Sequence, residues 1–181
     1  DNVEVLALVR FVSLSGTNHF LTVRGSGADE SATLYSVAAT SSTLRLYYCS
    51  GSDFPNLINS SSFTISGSTD YWVRFRVDAT SLKARIWADG ESEPGAWLLD
   101  EADSSVTGVG WVGAAAYGTQ TPATWKQIGV GTNGDTAPSS AGGGGATLTA
   151  DSGTYTLTGT AATLKADRKL AAGSGSYAVT G

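Results

Sequence analysis

The chain of 181 residues contains no methionine, one cysteine, one histidine and four prolines, and only 15% of it is charged. Each shortage closes a class of chemistry. Cys49 alone leaves no internal disulfide, and Cys49 with His19 cannot make the thiolate or imidazole cage of a zinc site. A metal, if held, is a hard cation on oxygens; no cofactor is expected. A serine nucleophile would have to recruit His19 as its base. His19 sits in the turn-like Gly16-Thr-Asn-His-Phe20, and no Gly-x-Ser-x-Gly elbow lies near a carboxylate and base pattern. No apolar run reaches the roughly 18 residues of a membrane helix, and nothing has the form of a signal peptide. A net charge of −5 provides no basic footprint for a phosphate backbone, so neither nucleic acid nor membrane is an expected partner. Without methionine at position 1, Asp1 is expected not to be the translational start: either the N-terminus was removed or the chain is part of a longer polypeptide.

What is present points to β structure. Hydrophobic residues make up 41%, glycine supplies 23 positions, and serine and threonine are abundant, a composition of turns and polar outward strand faces. Val3 to Val12 is apolar on both alternating faces, as in a strand buried on both sides. Shorter strands are predicted at Phe20–Arg24, Thr33–Ala38, Thr43–Cys49, Ser62–Ser66, Ala96–Leu99, Gly110–Ala116 and Trp125–Gly131, separated by glycine and serine clusters. Cys49, at a strand end, reads as a small buried apolar residue. All five tryptophans, Trp72, Trp87, Trp97, Trp111 and Trp125, fall in the second half of this region, and that half is expected to supply most of the core.

The strongest local signal is a hairpin of Tyr71–Val77 and Leu82–Ala88 across Asp78-Ala79-Thr80-Ser81. Period-2 alternation places Tyr71, Val73, Phe75 and Val77 with Leu82, Ala84, Ile86 and Ala88 on the core side. The other side carries Trp72, Arg74 and Arg76 against Lys83, Arg85 and Trp87. Trp72, Arg74, Arg85 and Trp87 form the candidate ligand face, since aromatic rings stack on sugars while guanidinium groups bond hydroxyls or uronate carboxylates. The competing reading is that a loop or second sheet covers this face and the arginines satisfy local acids and carbonyls.

Other motifs read more plainly. Gly108-x-Gly110-x-x-Gly113 and Gly129-x-Gly131-x-x-Gly134 match a dinucleotide fingerprint, but no helix follows either, so they are strand and turn glycines. Asp89, Glu91 and Glu93 alternate as glycosidase acids do, yet they surround Gly90 and precede Pro94, the pattern of a solvated hairpin end; a calcium contact and catalysis are the other readings. Asn59-Ser60-Ser61 satisfies the glycosylation sequon.

After Gly134 the composition changes. Residues 136–145 are small and glycine-rich, reading as a flexible linker between a domain at 1–135 and a segment at 146–181. That segment contains a 22-residue repeat: LTADSGTYTLTG from Leu148 matches LAAGSGSYAVTG from Leu170, with Tyr155 and Leu157 answering Tyr177 and Val179. A repeat this short cannot bury its own apolar face, so it is expected to stack on a neighbour or on other copies of the chain.

Together, Tyr71–Val77, Leu82–Gly90, Glu93-Pro94, Trp97, Gly110–Gly113 and Ile128–Gly134 resemble the laminin-G-like, concanavalin A-like jelly-roll modules of bacteriophage structural proteins, over about residues 1–137. The tail is similar to Gly-Tyr-Thr-Gly repeats of virion and bacterial surface proteins. The resemblance implies an all-β, antiparallel two-sheet jelly-roll sandwich of about a dozen strands, used for display, adhesion or sugar recognition. Such modules begin with a strand upstream of Val3, so the first strand is expected to be missing. The Glu-x-Asp-x-x-Glu core of the related hydrolases and the Asp/Asn calcium loop of legume lectins are absent. The expected role is therefore a non-enzymatic virion structural protein of a tailed phage: a capsid decoration, head fibre or tail appendage on the virion surface. Its expected partners are its own copies, other virion proteins and host-surface polysaccharide. A carbohydrate-binding adhesin is the alternative, and a glycoside hydrolase the third reading.

Overall fold

In a computed structural model, the described residues are 2–11, 19–27, 32–51, 55–116 and 123–138. The chain divides into units at 1–145 and 146–181, and the second lies outside the described residues, as do the repeat positions Tyr155, Leu157, Tyr177 and Val179. Among the described residues there are ten strands and no helix. They are β1 (Val3–Phe11), β2 (His19–Ser26), β3 (Thr33–Ala39), β4 (Thr43–Cys49), β5 (Asn56–Ser62), β6 (Asp70–Asp78), β7 (Ser81–Ala88), β8 (Leu99–Ala102), β9 (Trp111–Ala116) and β10 (Ala123–Thr132). Two antiparallel sheets result: sheet A, in the order β10-β1-β6-β7-β8, and sheet B, in the order β5-β4-β3-β2-β9. The expected two-sheet sandwich is the observed fold.

Alternation builds the core. Val5, Ala7, Val9 and Phe11 of β1, Tyr71, Val73, Phe75 and Val77 of β6, and Leu82, Ala84 and Ile86 of β7 face Leu21, Val23, Tyr35, Val37, Leu44 and Leu46 of sheet B. Each large side chain among them stabilises the sandwich by roughly 1.5–3 kcal/mol through removal from water. The β6–β7 register pairs Val73 with Ile86 and Phe75 with Ala84 inside, and Trp72 with Trp87 and Arg74 with Arg85 outside, as the periodicity predicted.

One end of the sandwich is clasped by polar groups. Tyr35 donates its hydroxyl proton to Asp103 Oδ1 at 2.7 Å and accepts from the Val106 amide at 3.0 Å. Burial, then the Asp103 contact, pushes its pKa up to about 12. Burial alone would raise the Asp103 carboxyl, but bonds from Tyr35 and Ser105 outweigh it and hold it below the usual range. Arg24 reaches across from sheet B to the carbonyl oxygen of Ala79 in the β6–β7 turn at 2.7 Å.

Three expectations are corrected. The strand predicted at Ser62–Ser66 is β5, Asn56–Ser62; it is a polar edge strand whose alternation is nearly silent, while Phe63 and Ile65 pack on the core from a segment whose amides bond Ser42 and Ser41. The strand predicted at Ala96–Leu99 begins only at Leu99, because Trp97 and Leu98 belong to the preceding loop. The half that holds the tryptophans does not supply most of the core: β1 to β4 contribute at least as much of it as β6 to β8, and of the tryptophans Trp125 packs against the inter-sheet core while Trp87 is buried on the outer face of sheet A and Trp111 is 42% exposed. Cys49 is half-buried, and burial pushes its thiol pKa up.

Candidate functional site

The outer face of sheet A is where the sequence placed its candidate ligand residues. Trp72 and Trp87 stack with ring centroids 6.4 Å apart and planes 19° from parallel. They are not bare. Leu6, fully buried on the same face of β1, and Ala137, 2% exposed, complete an apolar cluster with them. Ala137 belongs to residues 135–138, a strap laid over β10. A Cβ at Gly131 would collide with the Asp135 carbonyl oxygen and one at Gly129 with that of Pro138, so these glycines admit a close backbone approach. The strap is pinned where the Ala137 amide donates to Glu4 Oε1 at 3.0 Å. Residues 136–138, expected as the start of a flexible linker, are thus part of the sandwich, because Ala137 finds an apolar seat and a carboxylate acceptor there.

The arginines are also covered. Arg74, 4% exposed, forms an ion pair with Glu4 and a two-pronged pair with Glu93, Nε to Oε1 at 2.6 Å and Nη2 to Oε2 at 3.0 Å. Burial opposes its charge, but the Glu93 and Glu4 carboxylates outweigh that and raise its pKa. Arg85 pairs with the same Glu93, donates to the Pro94 carbonyl oxygen at 2.6 Å and lies 4.2 Å from the centroid of the Trp97 ring. Glu93, Pro94 and Trp97 come from the loop between β7 and β8, which folds back over the ladder. The structure therefore brings Trp72, Arg74, Arg85 and Trp87 together, but Arg74 is enclosed between carboxylates and is not presented outward. The competing reading of this face, a loop cover with arginines satisfying local acids, describes its middle.

The carboxylates of that loop are occupied as well. Asp89 accepts from Trp72 Nε1 at 2.8 Å, Glu93 bridges Arg74 and Arg85, and Glu91 stands in the exposed turn. Among the described residues, no group of three His, Cys, Asp or Glu side chains is placed to hold a metal. Of the glycines in the two dinucleotide-like motifs, Gly113, Gly129 and Gly131 lie in strands and Gly134 in a turn, while Gly108 and Gly110 lie in the segment before β9, which begins at Trp111 and not at Gly110 as predicted.

Beyond the covered stretch the same ladder opens. The next rung pairs Arg76 with Lys83, and with Asp78, Ser81 and Trp97 these line a cleft of about 330 Å³. Arg76 Nη2 lies 3.8 Å from Asp78 Oδ2, and Lys83 Nζ lies 2.9 Å from Asp100 Oδ2. All four side chains are one-third or more exposed, so these pairs are screened and contribute little to stability. The cleft thus offers an aromatic wall, a hydroxyl, two cations and the Asp78 carboxylate, with Asp100 beside it as the partner of Lys83. Residue reasoning included Arg76 and Lys83 in the ladder but not in the site, and it missed Trp97 by assigning it to a strand. The readable signal was Pro94-Gly95, a turn that breaks the strand and returns Trp97 over the ladder.

No protein family and no curated protein matches the sequence. Among solved structures, the xylan β-1,4-xylosidase of Bacillus halodurans C-125 is 16% identical with a TM-score of 0.48 over 71% of this chain; the match spans 27% of the xylosidase chain. Sheep galectin-11, in a complex with glycerol, is 6% identical with a TM-score of 0.48, over 71% of this chain and 89% of the galectin. Neither likeness bears on function.

Proposed function

We propose that the sandwich is a non-enzymatic carbohydrate-binding module, displayed on the surface of a larger particle, and that it receives saccharide at the Arg76/Lys83/Trp97 end of sheet A. The observation that carries this reading is the open cleft itself, in which a tryptophan wall stands beside paired charges that remain accessible to solvent. Sugars need both elements: an apolar surface for the C–H face and groups that donate to and accept from hydroxyls. A non-catalytic role is supported by the engagement of two of the three alternating acids, Asp89 and Glu93, in structural contacts with Trp72, Arg74 and Arg85.

Binding of the full chain to immobilised polysaccharides, followed by affinity electrophoresis, tests the proposal. Retardation that disappears in Trp97→Ala, with no release of reducing sugar by the unsubstituted chain, is the expected result. The absence of retardation by every polysaccharide would refute it. Display on a tailed-phage virion, with residues 146–181 joining copies of the chain or neighbouring virion proteins, is the finer part of the proposal and rests on the sequence resemblance and the repeat. Light scattering checks the assembly role: a mass unchanged by removal of 146–181 overturns it.

A further inference from the structure

We infer that the saccharide received in the Arg76/Lys83/Trp97 cleft is uncharged, a neutral mono- or disaccharide unit rather than a uronic, sialic or sulfated one. The inference rests on the carbohydrate-binding reading above and specifies its ligand. Cations alone would suggest the opposite, because Arg74, Arg76, Lys83 and Arg85 follow one another along the face. Each, however, already has an acid: Arg74 has Glu4 and Glu93, Arg85 shares Glu93, Arg76 faces Asp78 and Lys83 holds Asp100. Four cations meet four carboxylates along the ladder, so it has no excess positive charge to attract an anion, and the chain as a whole carries −5. An entering carboxylate or sulfate would have to displace Asp78 or Asp100 and then sit beside the displaced acid, a like-charge contact that cancels what the cation offers.

A hydroxyl meets no such conflict. It accepts from Lys83 Nζ or the Arg76 guanidinium and donates to Asp78, Asp100 or Ser81, so one hydroxyl uses both members of an ion pair without separating them. The volume of about 330 Å³ lies at the small end of ligand sites, in keeping with a short sugar unit packed against Trp97.

The test uses the full chain and two immobilised panels: neutral xylo-, cello-, malto- and galacto-oligosaccharides, and acidic oligogalacturonate, sialyllactose and heparin fragments, each at low and high ionic strength. The inference expects retention on at least one neutral sugar that survives high salt. It expects a loss of about tenfold or more in affinity on replacing the aromatic wall, Trp97→Ala, or the donor, Lys83→Gln. The second substitution, at an exposed side chain, covers the case in which the first disturbs folding. Retention on acidic sugars alone, abolished by salt, overturns the neutral-ligand inference while leaving carbohydrate binding intact. Retention on neither panel overturns both, and neutral binding indifferent to both substitutions places the ligand elsewhere and overturns this site.

Discussion

The two ends of one sheet face make the instructive contrast in this molecule. At the Trp72/Trp87 end, side chains that look like ligand-binding groups are covered by the strap at 135–138 and by the loop carrying Glu93, and serve the fold. At the Arg76/Lys83 end, the same alternating ladder continues, and among the described residues only the Trp97 wall stands over it. The residue types scarcely differ. What differs is the cover, and therefore the energetics: enclosed charges are costly to disturb, whereas exposed ones are nearly free to exchange partners.

The largest effect should come from breaking the covered end. Glu4→Ala removes an acid from the enclosed Arg74 and the acceptor from the Ala137 amide, and is expected to cost roughly 3–5 kcal/mol in urea unfolding, whereas Lys83→Gln at the open end stays within about 0.5 kcal/mol. Equal costs for the two would erase the distinction between the ends. An intermediate loss is expected from Gly131→Val, whose side chain would occupy the place of the Asp135 carbonyl: about 1–3 kcal/mol, together with faster proteolytic cleavage after Gly134 as the strap lifts. Cleavage at the unsubstituted rate would show that the strap tolerates a side chain beneath it.

The smallest effect concerns acid. Asp70, at the covered end, is held at a pKa of about 2 by hydrogen bonds from Arg10, at 2.6 Å, and Lys126, at 2.5 Å. Its folded pKa lies below the ordinary 3.8, so the stabilisation is present above about pH 4 and is lost as pH falls toward 2. The melting temperature of Asp70→Asn should therefore fall less steeply than that of the unsubstituted chain between pH 4 and 2. Parallel curves would show that Asp70 is not coupled to folding.

Much of the fold was legible in the residues because alternation with period 2 is a direct consequence of strand geometry. β4 was predicted at its observed bounds, and the faces of β6 and β7 were predicted in register. Legibility failed where geometry stops imposing a pattern. β5 is an edge strand with solvent on much of its surface, so Asn56 to Ser62 carries little apolar signal, and the apolar Phe63 and Ile65 beside it drew the assignment away. The candidate site was half legible: the ladder and its order were visible, but its middle was internal and its open rung and Trp97 were not singled out. Tryptophan count misled for a related reason. A large ring can lie on an outer surface over small residues, as Trp111 does over Gly25, with Nε1 donating to the Gly27 carbonyl oxygen at 3.2 Å, and composition does not reveal which surface that is.

Sequence by itself determined the all-β class, the hairpin register and the two faces of β6 and β7, since these follow from local alternation along single strands. Only the tertiary structure decided which part of the outer face is available. That depends on where Glu93, Trp97 and Ala137, distant in sequence from Glu4 and Arg74, come to rest, and their positions are fixed by a seat and a charge partner on other strands rather than by any pattern in their own neighbourhoods.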